Sequence, residues 1–364
     1  MPDNEIEQAK PDPGAAGGSV ARGGRWDAFR RSPFLAATNL VLILAVAAGL
    51  FAGSYTYTLA NPTPHHIPVA AVRSHAAVPG QEQVVLDGMN KALDGSLDVG
   101  VYDSRVAAQN AVEAQRVFAI LDGSGGDRVT VAVSGASGSS VAQMLSEAAE
   151  AVGQKAGVPV AITDVNPLQA GDPRGLAIFY ITLAAVIIGF VGAIQLNVHA
   201  RGLNPLERIA FTLAYALLGG LVIVGVVDWW LGALDLPFPE SWLILSLTMF
   251  TSGMINTMFS ALFGRWAMIP TWGLMVLLGN PSSGGAVSWP LLPSVLGSIG
   301  RWLPPGASVN AQHTAVYFAG HQHMFPFLVL AAWALVSIAV FWIWRGRHVG
   351  GRETSSDIPT DLHA

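Results

Sequence analysis

Between residues 34 and 53 the chain runs 20 residues without a charged side chain, and comparable runs recur at 175–198, 209–227, 242–263 and 325–344. A run of this kind leaves few choices. At 1.5 Å rise per residue, about 20 apolar residues in a helix cross a hydrocarbon layer of about 30 Å. Only a helix or a closed barrel satisfies the backbone there. A shorter run, 266–279, is of the same character. The sequence therefore predicts a polytopic α-helical membrane protein with six transmembrane helices. Charged residues make up 12% of the chain, against about 25% in a soluble domain, and nearly all of them fall outside these runs.

The first run is too long for the apolar core of a cleaved signal peptide, and no clean A-x-A site follows it, so it reads as a retained helix. Residues 1–33, rich in Gly, Pro and charge, read as a disordered cytoplasmic tail. The remaining organisation follows: a first transmembrane helix at 34–60, an extracytoplasmic α/β domain at 61–174, a five-helix membrane domain at 175–345 with a Pro-rich outer loop at 280–324, and a cytoplasmic tail at 346–364. Within 61–174, apolar strands at 67–72, 97–103, 117–122, 129–135 and 159–165 alternate with helix-patterned segments at 81–95, 104–115 and 139–157. The third helix is expected to carry a serine N-cap. This segment is large enough for a core of its own and is expected to fold alone. Asp103, Arg105, Asp122, Asp127 and Arg128 read as solvated turn charges.

Orientation follows from the basic residues. Lys10, Arg22, Arg25, Arg30, Arg31, Arg201, Arg208, Arg265, Arg345, Arg347 and Arg352 fall on one side of the expected spans, and the opposing loops 228–241 and 280–324 hold Arg301 alone. Both termini are therefore expected in the cytoplasm of a bacterial plasma membrane. Trp229, Trp230, Trp242, Trp289, Trp302, Trp342 and Trp344 cluster near span ends, as an interfacial belt would.

The chemistry-bearing motifs are few. The turns "GNPSSGGAVSW" and "GSGGDR" lack the Lys of a phosphate-binding loop, so no nucleotide site is expected. The chain has no cysteine, which removes disulfides, thiolate metal sites and a Cys nucleophile. His65, His66, His313, His321 and His323 have no carboxylate at ligand spacing and read as polar loop residues. No catalysis, cofactor, metal or nucleic-acid partner is expected; the net charge is −5. The spans lack ionisable residues, which disfavours ion-coupled transport; Gln195, Asn197 and Asn256 are their main polar positions. Residues 289–303 carry an apolar face broken by Pro and Gly, either a re-entrant hairpin or a surface-lying linker. The connection 197–211 holds Arg201, Asn204, Pro205, Glu207 and Arg208. Asn204 is placed to cap a helix starting at Pro205. This elbow reads either as a docking point for a cytoplasmic partner or as a simple turn. Glu207 and Arg208 are expected at the helix entrance, outside any packed span.

"IPVAAV" (67–72) and "GNPSSGGAVSWPLLPSVLGSIGRWLPPGASVNAQHTAVYF" (279–318), together with the order of one helix, an outward domain and five helices, resemble the membrane subunits of ABC type-2 transporters, in the YhgE/Pip-like branch. The resemblance implies a permease homodimer or heterodimer in the bilayer, energised by a separate cytoplasmic ABC ATPase and working in efflux. It makes the 197–211 elbow a candidate ATPase-coupling element and Asn280, Pro281, Gly284, Gly285, Pro304 and Pro305 a candidate outer gate loop. The rival expectation is a non-transporting membrane receptor or scaffold that binds a ligand or partner through its outward domain.

Overall fold

The computed structural model describes residues 33–73, 80–124 and 128–347. The expected tails, and with them Lys10, Arg22, Arg25, Arg30, Arg31 and Arg352, lie outside the described residues, as does Asp127. The chain divides into two compact units at Phe51 and Ala52. The described part of the first is the start of helix α1 (Pro33–Leu59), whose Leu40, Val41, Leu42, Leu44 and Val46 are all exposed.

In the second unit a five-stranded sheet comes first. It comprises β1 (Ile67–Val72), β2 (Leu97–Tyr102), β3 (Ala119–Asp122), β4 (Val129–Val133) and β5 (Val160–Asp164), in the order β2-β1-β3-β4-β5. β1 is parallel to both β2 and β3, in a register that sets Ile67 against Leu97 and Ala70 against Ile120. β3 and β4 form an antiparallel hairpin, and β5 runs parallel to β4. The central strands are apolar throughout because both faces are covered. Helices α2 (Gln81–Ala92) and α4 (Ser139–Ala156) cover one face with Val85, Met89, Val141 and Leu145. Helix α3 (Arg105–Glu113) covers the other with Ala108, Ala111 and Val112.

The caps differ from expectation in one place. Ser104 caps α3, its side chain accepting from the Ala107 N–H at 3.2 Å. Helix α4, expected to start on a serine cap, instead has Gly138 at its N-cap and no side-chain cap. The serine hydroxyls are used elsewhere: Ser139 donates to the Arg174 carbonyl at 3.2 Å and Ser140 pairs with Ser288 at 3.2 Å.

The helical part contains α5 (Ala177–His199), α6 (Pro205–Val224) with a π-helical extension Gly225–Trp230, α7 (Glu240–Phe263), α8 (Met268–Trp272) with a π-helical continuation Gly273–Gly279, α9 (Ser294–Gly300), α10 (Pro304–Tyr317) and α11 (Met324–Arg347). Five segments are long and apolar enough to cross a membrane: Ala37–Leu59, Ala177–His199, Pro205–Trp230, Glu240–Trp266 and Met324–Arg347. The run at Met268–Gly279 is apolar but short, about 18 Å at a helical rise, so it does not reach across a bilayer core alone. The last helix runs on to Arg347, past the expected start of the tail.

Helix α7 is the hub. Its most apolar window is 72% buried, against 22–50% for α5, α6 and α11. Close approach is what allows this. Apolar side chains gain little by meeting one another in lipid, so small residues that let backbones touch carry the packing. A Cβ at Gly189 of α5 would sit 2.6 Å from the Met249 carbonyl oxygen, and one at Gly220 of α6 would sit 2.4 Å from the Ser246 hydroxyl. The Tyr215 hydroxyl donates to the Gly189 carbonyl beside them. We expect Gly189→Val to force α5 off α7 and to destabilise the protein by about 1–3 kcal/mol, the usual range for overpacking. Thermal denaturation in detergent checks this, and an unchanged midpoint would contradict it.

Candidate functional site

Within the expected outer loop 280–324, α9 and α10 form a helical hairpin: α9 is largely exposed and α10 is buried. Helix α10 has ten buried residues, among them Pro304 and Pro305 in its first turn. Proline is suited there because the first turn has no internal use for its N–H. α10 runs antiparallel to the start of α7. The Gln312 amide donates to the Ser241 hydroxyl at 2.6 Å, and Thr248 Oγ1 donates to Ser308 Oγ at 2.7 Å. Gln322 then ties the turn before α11 to Glu240 at 2.8 Å. Over 289–303, where a re-entrant or a surface-lying segment is expected, Leu291, Leu292 and Leu303 are buried while Val295, Ile299 and Trp302 are exposed, so the apolar face is divided between the packing and the surface.

The preceding turn is fastened at both ends. The Asn280 side-chain amide donates to the Tyr55 hydroxyl at 2.7 Å, while its carbonyl oxygen is buried without a partner. Pro281, Ser282 and Ser283 are buried. Gly284 has φ +81°, a left-handed conformation that favours glycine, and the Trp289 ring lies where a Cβ would go. Trp289 donates its indole N–H back to the Ser282 carbonyl at 3.2 Å. At the far end, the Leu291 and Pro290 carbonyls accept from the Thr63 and His65 backbone N–H groups at 3.2 and 2.7 Å. Leu291 is 1% exposed and belongs to the core of the sheet.

Two clefts flank Trp289 where the sheet meets the hairpin. The narrower holds about 650 Å³, part of it open to solvent, between the serine-rich stretch 137–140 that opens α4, the Gly284–Gly285 turn, and Asn310 and His313 of α10. The roomier, about 860 Å³ and likewise open, lies between His66, Phe118, Arg301, Asn310 and Phe325. His313, expected in a loop, is on α10. Burial holds its imidazole neutral and pushes its pKa down to about 4. Gln115, which lines both clefts, donates to Thr314 at 2.9 Å.

The other expected positions separate. At the elbow, Asn204 and Glu207 form a reciprocal capping box, each side chain accepting from the other's N–H at 2.9 Å, with Pro205 following. Arg201 is exposed. Arg208 is not at an open entrance. It is 8% exposed, and its guanidinium donates to the Asn197 side chain and to the Ala200 carbonyl. It therefore holds α5 to α6 and is a structural residue of the elbow. Asn197 also donates to Ser260 near the end of α7 at 3.0 Å, so the elbow and the clefts sit at opposite ends of that helix. Gln195 is exposed. Asn256 is buried, accepts from Thr271 at 3.2 Å and has an unpartnered amide nitrogen.

The acidic turn residues also divide. Asp103 forms an exposed ion pair with Arg73 at 2.8 Å. Asp122, expected as solvated, is 5% exposed and paired with Arg105 at 3.2 Å. Burial pushes its carboxyl up, but Ser124 and Arg105 outweigh that and hold it below the ordinary range.

Against known proteins, no family model matches this chain, and no curated protein matches it.

Two predictions follow from this geometry. Leu291→Ala removes a core side chain of the sheet and should cost about 2–5 kcal/mol, lowering the melting temperature of the full chain; no change would place Leu291 outside that core. His313 is neutral when folded, with a pKa below its unfolded value of about 6.5. As pH falls from 6.5 to 4 the unfolded chain takes up a proton that the folded chain refuses, so stability is lost across that window, by up to roughly 3 kcal/mol. His313→Gln should flatten the loss in pH-dependent melting, and an equally steep profile would show that another group carries it.

Proposed function

We propose that this chain is the membrane-spanning permease subunit of an ATP-driven ABC type-2 exporter, working as a homodimer or heterodimer with a separate cytoplasmic ATPase. The observation that carries this reading is the buried helix α10 with its clefts at one end of α7 and the ordered elbow at the other. Such an arrangement gives a packed connection between a partner-facing end and a ligand-facing end. The resemblance of 279–318 to the ABC type-2 membrane subunits points the same way. In this reading Met268–Gly279 and the buried turn after it together complete a sixth crossing. The sheet is extracytoplasmic, both termini are cytoplasmic, and Asn280, Pro281, Gly284, Gly285, Pro304 and Pro305 shape an outer gate. α7 would line the interior with its buried Ser246, Thr248, Thr251, Ser252 and Asn256.

The rival, a non-transporting receptor, has one observation of its own. β1 is flanked by β2 and β3, whose connecting helices lie on opposite faces, so the carboxyl ends of β1 and β3 form a topological switch point, where open α/β sheets bind ligands. The paired Arg105 and Asp122 lie there, beside Glu82, whose carboxyl is pushed up by burial.

Affinity purification of the chain from native membranes should recover an ABC ATPase, and reconstitution of the pair should give ATPase activity that the chain lacks alone. Arg201→Ala and Glu207→Ala should lower that stimulation several-fold with membrane yield unchanged. A chain that purifies without an ATPase, or that drives proton-coupled flux alone, would overturn the exporter reading. For orientation, cysteines replacing Glu150 and Ser294, both exposed, should react with an impermeant thiol reagent in intact cells. One replacing Gly202, where a Cβ meets nothing within 4 Å, should react only after lysis. The reverse pattern would invert the topology.

A further inference from the structure

The roomier cleft has a cation with nothing to neutralise it. Arg301 is exposed at the mouth, between α9 and α10. Among the described residues its guanidinium has no ion pair and no hydrogen bond; it lies over the Trp289 ring, 5.5 Å from the centroid. The whole segment 280–324 contains no Asp or Glu and no other Lys or Arg. Stacking on an aromatic face fixes a guanidinium in place while leaving its N–H edge free for a planar or tetrahedral anion. Asn310 faces the same cleft and, among the described residues, makes no side-chain hydrogen bond.

The rest of the cleft is not built for a free anion. Phe118, Ala307, Phe325 and Pro326 make its walls apolar. Its rim continues through Phe325 into an exposed apolar surface, where Trp302 and, at the start of α11, Met324 and Leu328 are each 60–71% exposed. Trp302 and Phe325 stand edge to face at 4.8 Å in that rim. Amphipathic aromatics concentrate at the membrane–water boundary, and the five apolar helices put such a boundary near the ends of α7 and α11. A polar, positively charged mouth over apolar walls, opening beside exposed apolar surface, matches a molecule with an anionic head and an apolar body. The space in the cleft that water-sized molecules can occupy, about 360 Å³, falls in the range of small-ligand sites.

We propose that this cleft binds a membrane lipid through its anionic headgroup, with Arg301 and Asn310 contacting the head and the Phe118–Phe325 walls the start of the acyl chain. The site stands whether the chain transports or not, since it uses only the cleft and the membrane-facing rim.

The test is native mass spectrometry of the full-length protein, delipidated in neutral detergent and titrated with phosphatidylglycerol, phosphatidylcholine or inorganic phosphate. The wild type should retain phosphatidylglycerol roughly tenfold over phosphatidylcholine, a difference of about 1.4 kcal/mol, and should retain no phosphate. Arg301→Gln should bring the two lipids level, Arg301→Lys should keep part of the preference, and Arg301→Glu should reverse it. Circular dichroism and melting temperature of each variant report folding separately. Equal retention of the two lipids by the wild type overturns the proposal whatever the variants do. So does an undiminished preference in Arg301→Gln. Retention of inorganic phosphate as tight as that of the lipid would make this a free-anion site and overturn the lipid assignment.

Discussion

Close backbone contact along α7 is the constraint on which the rest depends. Gly189 and Gly220 bring α5 and α6 against it, and three of the hydroxyls it buries are spent on its own preceding turn or on a neighbouring helix: Ser252 on the Thr248 carbonyl at 2.9 Å, Thr248 on Ser308, and Thr251 on the Leu330 carbonyl at 3.3 Å. A helix that hydrogen-bonds its neighbours in this way fixes their rotation as well as their distance. α10 is held at one angle because Gln312 and Ser308 must meet Ser241 and Thr248. Both clefts take their shape from α10, so the position of the site is set by polar contacts deep in an otherwise apolar bundle.

Much of the fold was legible because its signals are local. The alternation of β-branched runs with amphipathic segments marks all five strands to within two residues, and the Asn204-Pro205-Leu206-Glu207 sequence spells the capping box at the elbow. What escaped is what depends on distant partners. Nothing near Arg208 in sequence says that Asn197 and Ala200 will fold over it. The serine cap expected for α4 is absent because the Ser139 and Ser140 hydroxyls go to distant partners, the Arg174 carbonyl and Ser288. The proline- and glycine-broken pattern of 289–303 hides the regular helix that follows, and only tertiary burial shows His313 in a cleft wall instead of a loop. Asp122 likewise reads as a turn charge until Arg105 and Ser124 surround it.

The clefts themselves had a partial signature. Arg301 is the lone Lys or Arg of a 45-residue stretch that holds no acid, a pattern visible in the sequence that by itself speaks only of sidedness. Its partner in space, Trp289, lies 12 residues earlier and was read as part of an interfacial belt. The two readings become one once the turn at Gly284 folds Trp289 back under the guanidinium. Residues that satisfy a topological rule can thus also build a site, and the rule alone does not distinguish them.

The segment from Ser54 to His65 and the segment from Leu277 to Leu291 run side by side, cross-tied at both ends. Ser54 and Tyr55 hold Leu277 and Asn280 at one end, and Thr63 and His65 hold Leu291 and Pro290 at the other. Between those ties Leu291 sits in the core of the sheet, Gln115 bonds Thr314 and Ser140 bonds Ser288. The sheet and the hairpin are thus braced at several points, like a truss, and a displacement of the end of α1 would load both together without prising them apart.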